Sequence, residues 1–153
     1  MDVVKIRRKI GEFIRGIIVT TKMWGLRKTI ITLIFNVVWY ITPLPRREEI
    51  IITRHGTKMY ILPFDRGISR ELKIFKVHEP LATKIIIKEL KELKKLTKNV
   101  TVIDVGSNIG YYAILEAKLL NRKGVTICIE PVQRNFQYLL KNIKINNIDN
   151  IKA

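Results

Sequence analysis

The last third of the chain alternates short apolar runs with longer amphipathic ones, and this alternation constrains the fold more than any other feature. Residues 100–105 (VTVIDV) and 125–130 (VTICIE) are typical of buried strands, whereas 111–120 and 131–146 have helical spacing. A third strand is predicted to begin at 151–153. Strands that alternate with helices pair in parallel through right-handed crossovers. The sequence therefore predicts an α/β fold containing an incomplete Rossmann-like parallel sheet.

A hairpin and helices are predicted ahead of this sheet. Two β-prone runs surround His55-Gly56, and glycine supplies the positive φ of a two-residue turn, so a hairpin is expected over about 49–62. Residues 64–80 are predicted to form a turn and a short irregular segment that leads into a helix. Pro80 suits a first helical position, and apolar spacing continues that helix to about residue 96. The predicted domains are an N-terminal helical region, a connecting region and the Rossmann-like part: 1–45, 46–98 and 99–153.

The N-terminal region is basic and apolar. The chain carries a net charge of +16, of which residues 1–47 contribute +8. The 17 uncharged residues from Thr29 to Pro45 include Trp39 and Tyr40 near one end. Three interpretations remain open for this run: a helix packed on the protein, a helix lying in a membrane surface, and a short membrane span. Peripheral membrane contact through residues 1–45 is therefore one predicted interaction.

The charge pattern and the cysteine content bear on partners and location. Basic residues interleaved with long aliphatic ones favour lipid over nucleic acid, and residues 5–47 contain no aromatic motif of the RNA-recognition type, so nucleic-acid binding is disfavoured. The single cysteine, Cys128, excludes an internal disulfide and fits a reducing compartment. We expect a cytoplasmic protein, with membrane association as the open alternative.

The turn after the first buried strand is the candidate ligand site. It has the pattern D-x-G-x-x-x-G, from Asp104 through Gly106 to Gly110, between a strand and a helix. Ligands of open α/β sheets bind at this position, and glycine permits close approach to the backbone. The pattern differs from the dinucleotide fingerprint G-x-G-x-x-G, because Asn108 stands at the middle glycine, and no Gly-Lys-Ser/Thr follows as in a P-loop. A nicotinamide or nucleoside triphosphate site is therefore disfavoured.

An acid at the end of the next strand narrows the ligand further. Glu130 follows Gly106 by 24 residues and is expected beside the same crevice. A carboxylate there can accept both hydroxyls of a ribose and would repel a 2′-phosphate. With Asp104 at the neighbouring strand end, the pair suits a ligand that has a ribose and positive charge but no phosphate. S-adenosylmethionine has these properties.

The segments VIDVGSNIGYYAILEAKLL and VTICIEPVQRNFQYLLKNIKINN resemble the start of a class I S-adenosylmethionine-dependent methyltransferase. In particular they are similar to the FkbM family, with the pattern D-[VI]-G-A-N-x-G-Y-Y, then A-x-E-P, then N-[FY]-x-x-L-x-x-N-x-x-x-N. The matching positions are Asp104, Gly106, Asn108, Gly110, Tyr111, Tyr112, Glu130, Pro131, Asn135, Phe136, Leu139, Asn142 and Asn146. Ser107 departs from the usual alanine, a mild change.

The resemblance implies residue roles. The cofactor-binding residues would be Asp104, Gly106, Ser107, Asn108, Gly110, Tyr111, Glu130 and Pro131. The turn would hold the methionine half of the cofactor, and Glu130 the ribose hydroxyls. Each residue alone also has a structural explanation, such as capping or packing. Asn135, Asn142 and Asn146 are expected to satisfy the second helix rather than to contact substrate.

The implied activity is O-methylation of a hydroxyl of a sugar or related small metabolite, so the expected partner is a small-molecule or glycan methyl acceptor. No catalytic base and no metal site is identified. Because the sheet of a class I methyltransferase extends well beyond three strands, the sequence is expected to be an N-terminal fragment, inactive alone and with weak cofactor affinity. The alternative is a basic membrane-surface or nucleic-acid-binding protein that retains a non-catalytic Rossmann-like half.

Overall fold

The computed structural model describes residues 11–12, 14–15, 18–19, 21–22, 25–97 and 99–153. The chain divides into two compact units, Met1–Pro43 and Leu44–Ala153. The basic cluster predicted to contact membranes at 5–9 lies outside the described residues.

The described part of the first unit contains helix α1 (Leu26–Ile41), which begins after Gly25 and ends where Thr42 becomes extended. Pro43 follows, and the residue before a proline disfavours helical geometry. Several large apolar side chains of α1 are exposed: Leu26, Ile30, Ile31, Ile34, Val37, Tyr40 and Ile41. Across the described ranges, no helix has both the length and the apolarity needed to cross a membrane. Contact with a membrane surface stays a prediction.

The second unit is a hairpin followed by a βα-alternating region. Its elements are β1 (Glu49–Ile52), β2 (Lys58–Ile61), α2 (Ile68–Phe75), α3 (Pro80–Leu96), β3 (Val100–Val105), α4 (Tyr111–Leu120), β4 (Gly124–Ile129), α5 (Gln133–Ile145) and β5 (Ile151–Lys152). Strands β1 and β2 are antiparallel. Strands β3, β4 and β5 form a parallel sheet in that order. The predicted α/β fold with a Rossmann-like parallel sheet is confirmed.

The hairpin forms as predicted, but its loop is longer than the predicted two residues. The backbone N–H of Thr53 donates to the carbonyl of Thr57 at 2.9 Å, so three residues lie in the loop, and the N–H of Gly56 donates to the Thr53 carbonyl at 3.0 Å. Gly56 has φ 72°, the left-handed conformation expected at the end of a three-residue hairpin loop. The two-residue prediction was wrong by one residue because Thr57 still pairs with Thr53.

The segment predicted to be irregular contains helix α2. Ile68 and Leu72 are buried one turn apart, and Glu71 lies in the first turn, where an acid complements the helix dipole. Asp65 holds the start of the helix, because its carboxylate accepts from the N–H groups of Gly67 and Ser69, both at 2.8 Å. The apolar spacing of α2 is present in the sequence, but it covers only eight residues and directly follows turn residues.

The core of the second unit joins the hairpin to the parallel sheet. Met59 and Ile61 of β2 are fully buried in one cluster with Leu72 of α2 and with Tyr111 and Ile114 of α4. Helix α4 lies against β3 and β4, so it connects the hairpin side of the unit with the sheet. The turn that precedes α4 therefore leads into a helix that packs on both the hairpin side of the unit and the parallel sheet.

Candidate functional site

The turn between β3 and α4 crosses to the end of β4. The N–H groups of Gly106 and Ser107 both donate to the carbonyl of Ile129, at 2.8 and 3.2 Å. Gly106 and Asn108 have φ of 80° and 50°, left-handed conformations that glycine and asparagine adopt more readily than other residues. The turn after β3 is thus joined to the carboxyl end of β4, at the sheet edge where the sequence predicted the ligand site.

The two glycines of the turn have different roles. A Cβ built on Gly106 meets no atom within 4 Å, so open space lies above its backbone. A Cβ on Gly110 would lie 2.5 Å from Cδ1 of Leu139 in α5. Gly110 is therefore required for packing between the turn and α5, whereas Gly106 leaves its backbone accessible to a ligand.

Glu130 supports the turn directly. Its Oε2 accepts from the N–H of Asn108 at 2.7 Å and its Oε1 from the N–H of Val132 at 2.9 Å. The side chain of Asn135 approaches Oε1 at 3.5 Å. Because a carboxylate oxygen has two lone pairs, Oε2 retains capacity for another donor such as a ribose hydroxyl, whereas Oε1 already faces two donors. The sequence predicted the position of Glu130 but not these bonds to the backbone.

Asp104 has a carboxylate oxygen without a partner. Its Oδ2 is buried and makes no hydrogen bond. Burial raises the pKa of Asp104, although a hydrogen bond from the N–H of Ala113 opposes the shift. The hydroxyl of the buried Ser107 donates to the Asp104 carbonyl at 2.8 Å, so Ser107 braces the turn from inside.

The remaining predicted residues are placed less favourably for side-chain contact with a ligand. Tyr111 is 2% exposed and belongs to the core, while Tyr112 is half-buried beside it with ring centroids 5.2 Å apart. Pro131 is exposed next to Glu130. Of the two tyrosines, Tyr112 is thus the one whose side chain reaches solvent.

A second buried acid, not predicted from the sequence, lies in α4. Glu116 is 6% exposed, and its Oε2 has no hydrogen-bond partner. Burial, reinforced by the negative charge of Asp104, raises the pKa of Glu116 to about 7. In the sequence Glu116 occupies a helix position between apolar residues, which was the available signal. The protein therefore holds a carboxyl group in its core that changes charge near neutral pH.

We expect Glu116→Gln to stabilise the protein increasingly as pH rises. The ordinary pKa of 4.5 applies to the unfolded chain, and the folded value is about 7, so the folded state binds the proton more tightly. The free energy of unfolding of the unaltered protein therefore falls as the pH rises from 4.5 to about 7, and it falls no further at higher pH. Since glutamine does not titrate and each pKa unit corresponds to about 1.4 kcal/mol, we expect the advantage of Glu116→Gln to grow by about 2–3 kcal/mol between about pH 5 and about pH 8. Urea unfolding at both pH values measures it.

A matched control is Glu92→Gln, which removes an exposed acid paired with Lys95 on α3. Its free energy of unfolding should differ from that of the unaltered protein by the same small amount at both pH values. If the difference in unfolding free energy between Glu116→Gln and the unaltered protein were also the same at both pH values, the buried carboxyl would not titrate near neutral pH.

A polar cluster next to the turn was also missed. His78 and Glu79 lie between α2 and α3, and the Nδ1 of His78 is 2.5 Å from Oε2 of Glu71. The hydroxyl of Tyr112 donates to Oε2 of Glu79 at 3.0 Å. Sequence reasoning placed His78 and Glu79 directly before a helix and kept a site role open for Glu79. It did not reveal their contacts, which come from other elements.

A cleft of about 530 Å³ opens beside the same turn. Its wall includes Asn108 of the turn, the segment 62–66 after β2, and Val132, Arg134 and Asn135 at the start of α5. The segment that follows the hairpin therefore forms one side of the space near Glu130, a contribution that the sequence did not reveal.

These residues fit S-adenosylmethionine. The unpartnered oxygen of Asp104 can accept from a donor, directly or through water, and the space above Gly106 admits a ligand to the backbone. Glu130 stands at the neighbouring strand end with acceptor capacity left. A parallel sheet with a glycine turn after the first strand and an acid after the second is the arrangement in which Rossmann-like sheets hold a ribose-containing cofactor.

The comparison with family models identifies the family. The model described as protein-L-isoaspartate(D-aspartate) O-methyltransferase (PCMT) matches residues 76–153, just over half of the chain. The chain belongs to this family of class I methyltransferases, which use S-adenosylmethionine. The class and the cofactor predicted from the sequence are thereby confirmed, whereas the matched family is not FkbM. No curated protein matches the chain.

Two solved structures are similar to part of the chain. One is a protein-L-isoaspartate O-methyltransferase, with 18% identity and a TM-score of 0.42 over 50% of this chain and 23% of that one. The other is a putative protein-L-isoaspartate O-methyltransferase from Plasmodium falciparum in complex with S-adenosyl-L-homocysteine, with 24% identity and a TM-score of 0.40. That match covers 74% of this chain and 47% of the other. The chain thus spans less than half the length of either protein.

Proposed function

We propose that this chain binds S-adenosylmethionine at the β3–α4 turn and serves in methyl transfer to an oxygen atom. The observation that carries the proposal is the open space above Gly106, in a turn that is hydrogen-bonded to the end of β4 and to Glu130. The left-handed φ of 80° already favours glycine at this position, and the open space adds that a ligand can reach the backbone of a turn that is otherwise tightly hydrogen-bonded.

Each residue of the site has a distinct task in this proposal. Gly106 admits the methionine half of the cofactor, and Asp104 receives its ammonium group directly or through water. Glu130 binds the ribose hydroxyls while it keeps Asn108 in place. Ser107 holds the turn from below, and Gly110 lets α5 close against it. When bound, the cofactor supplies an electrophilic methyl group; the protein contributes position and orientation.

Two classes of acceptor are compatible with transfer to oxygen. The FkbM resemblance suggests a hydroxyl of a sugar or related small metabolite. The description of the matched family names isoaspartyl and D-aspartyl groups of proteins, whose reactive atom is a carboxylate oxygen. The two differ in their need for a base, because a hydroxyl must lose a proton and a carboxylate at neutral pH has none to lose.

We expect Glu130→Gln to weaken binding of S-adenosylhomocysteine by about 10- to 30-fold. The substitution removes a charge-assisted acceptor, and one end of the new amide must point an N–H₂ group at the N–H of Asn108 or Val132. A hydrogen bond to a charged group is worth about 1.5–3 kcal/mol, and 1.4 kcal/mol is tenfold in affinity. Isothermal titration of the full chain measures the change.

Glu92→Gln is again the control, since it makes the same change of charge on an exposed face. It should leave the dissociation constant within about twofold, in line with the small effect of exposed ion pairs. Equal affinity of the Glu130→Gln variant and the unaltered chain would contradict the ribose role. Absence of any binding by the unaltered chain would contradict the proposed function itself.

A further inference from the structure

Helix α1 presents a continuous row of large apolar side chains to solvent, which we term the α1 stripe: Leu26, Ile30, Ile34, Val37 and Ile41. At about 100° of rotation per residue, the five residues lie within about 80° of the helix circumference. Each of them is between 46% and 72% exposed. Single exposed apolar residues are ordinary on a protein surface, but a contiguous row along one helix face marks an interaction site.

The α1 stripe is separate from the side on which the helix packs. Thr29 lies about 100° from the middle of the stripe. It is buried, and its hydroxyl donates to the carbonyl of Gly25 at 3.1 Å and accepts from the hydroxyl of Thr21 at 3.2 Å. Contact with the preceding segment therefore uses the flank of α1 that carries Thr29 and leaves the stripe exposed.

The charge of the surrounding sequence indicates the kind of partner that the stripe has. Residues 1–43, the first compact unit, contain eight Lys and Arg and two acids, a net charge of +6. The sequence has no acid between Glu12 and Glu48, so the charged residues nearest to the stripe are basic, and exposed Arg27 lies at its edge. Because the whole chain carries +16, a second copy would bring like charge to the stripe. Complementary charge has to come from an anionic partner.

The dimensions of α1 suit a helix that lies along a membrane surface. Its 16 residues extend about 24 Å, which is shorter than a hydrocarbon core of about 30 Å. In a helix that lies flat, the stripe faces the acyl chains and Arg27 reaches the lipid phosphates. Tyr40, near the other end of α1, is 81% exposed, and tyrosine suits the boundary between apolar and wet layers.

The aliphatic character of the stripe favours lipid over nucleic acid. Nucleic acid is bound mainly by basic groups at its phosphates and by aromatic rings that stack on its bases, and it offers little burial to aliphatic side chains. An anionic bilayer buries such side chains below its headgroups and attracts the basic residues beside them. A membrane surface therefore matches both the apolar and the basic properties of this unit.

We propose that α1 binds this chain peripherally to anionic membranes, with the α1 stripe inserted just below the lipid headgroups. The helix lies parallel to the membrane plane, and Arg27 contacts lipid phosphate. This inference is independent of the proposed function, because the residues of the cofactor turn and Glu130 take no part in it.

Flotation of the full chain with vesicles tests the lipid requirement. Vesicles of phosphatidylcholine that contain about 30% phosphatidylglycerol should carry the chain, and pure phosphatidylcholine vesicles should bind it at least about tenfold more weakly. The expected reason is that the basic residues near α1 gain attraction only at an anionic surface.

The double variant Ile30→Gln/Ile34→Gln tests the stripe. It should lower the partition coefficient on anionic vesicles by at least about tenfold, because it removes two large apolar side chains from the contact without a change of charge. The matched control is Ile50→Gln/Ile52→Gln, which makes the same changes at two comparably exposed positions of β1. Its partition coefficient should stay within about twofold of that of the unaltered chain.

Arg27→Gln tests the charge contribution. It should weaken binding to anionic vesicles about fivefold and leave binding to neutral ones unchanged, since one basic residue near an anionic surface contributes about that factor. Lys88→Gln removes an exposed positive charge from α3 and serves as the control. An equal loss in both variants would assign binding to net charge and overturn the role of α1.

The remaining outcomes separate the possible occupants of the stripe. Absence of flotation with anionic vesicles overturns the inference, and so does full binding by the Ile30→Gln/Ile34→Gln variant. Sedimentation velocity without lipid detects self-association, and a duplex DNA titration detects nucleic-acid binding. If that variant abolished either of these instead of flotation, the stripe would belong to a second copy or to nucleic acid. Titration of S-adenosylhomocysteine tests the proposed function separately, whichever of these results is found.

Discussion

Replacing Gly124 with alanine is expected to destabilise the protein by about 3 kcal/mol or more, the largest effect among the substitutions considered. An alanine Cβ at this position would lie 2.2 Å from the carbonyl oxygen of Val100 and 3.1 Å from its carbon. Gly124 is the first residue of β4 and pairs with Val100, the first of β3. The obstacle is backbone, so no side-chain rotation can relieve it, and the two strands must separate at their start. Overpacking of this kind costs about 1–3 kcal/mol and sometimes more.

Thermal unfolding followed by circular dichroism measures this effect, with an expected fall in Tm of about 10 °C for a chain of this size. Gly67→Ala is the control, because the added Cβ would meet only the carboxylate of Asp65 at 3.2 Å, in an exposed loop. Because that carboxylate also holds the start of α2, the cost of Gly67→Ala should be about 1 kcal/mol, well below that of Gly124→Ala. An unchanged Tm for Gly124→Ala would mean that the β3–β4 pairing is looser than described.

The elements of the parallel sheet could be predicted because their signals are local. The runs at 100–105 and 125–130 are apolar for the length of one strand, and helical spacing follows each. Helix α2 was missed because eight residues give only two turns of spacing, and the Asp65–Gly67 turn preceded them. The hairpin loop was misjudged by one residue because its length depends on the Thr53–Thr57 pairing, which the sequence does not specify.

The candidate site was predicted in part for a similar reason. Asp104, Gly106 and Glu130 lie at strand ends, so the strand pattern alone brought them together. The different roles of Gly106 and Gly110 depend on Leu139, a residue of another element, and could not be inferred from spacing. The contacts that His78 and Glu79 make with Glu71 depend on α2, which was not predicted. Sequence reasoning thus located the cofactor edge and missed the groups that tertiary packing adds to it.

The second large effect is expected for Asn142→Ala, at about 3 kcal/mol. Asn142 is fully buried in α5, and its side-chain amide hydrogen-bonds the backbone of β2 as a paired strand would. Its Oδ1 accepts from the N–H of Tyr60 at 2.6 Å, and its Nδ2 lies 3.1 Å from the Tyr60 carbonyl and 2.8 Å from that of Ile109. Alanine would leave these backbone groups without partners. Each buried backbone group left without a partner costs about 1–3 kcal/mol. Because the surrounding structure relaxes in part, we expect the total for the three groups to stay near about 3 kcal/mol.

Asn146→Ala is a matched control at the C-cap of the same helix. Asn146 makes the equivalent pair of bonds to Lys58, at 2.9 and 2.6 Å, but at a partly exposed position where water can replace it. The expected cost is about 1 kcal/mol, measured by urea unfolding of both variants. Equal losses for the two variants would contradict the importance of burial.

Asn142 also couples stability to the cofactor turn, because Ile109 lies within that turn. The sequence-based expectation that Asn142 serves its own helix was incomplete, since the residue joins α5, the hairpin and the turn at one point. We therefore expect Asn142→Ala to weaken S-adenosylhomocysteine binding as well, and Asn146→Ala to leave it within about twofold, since loss of Ile109 support adds an ordering cost to binding. Titration of both variants below their unfolding temperatures separates the effects. Unchanged affinity in the Asn142→Ala variant would show that the turn keeps its geometry without support from α5.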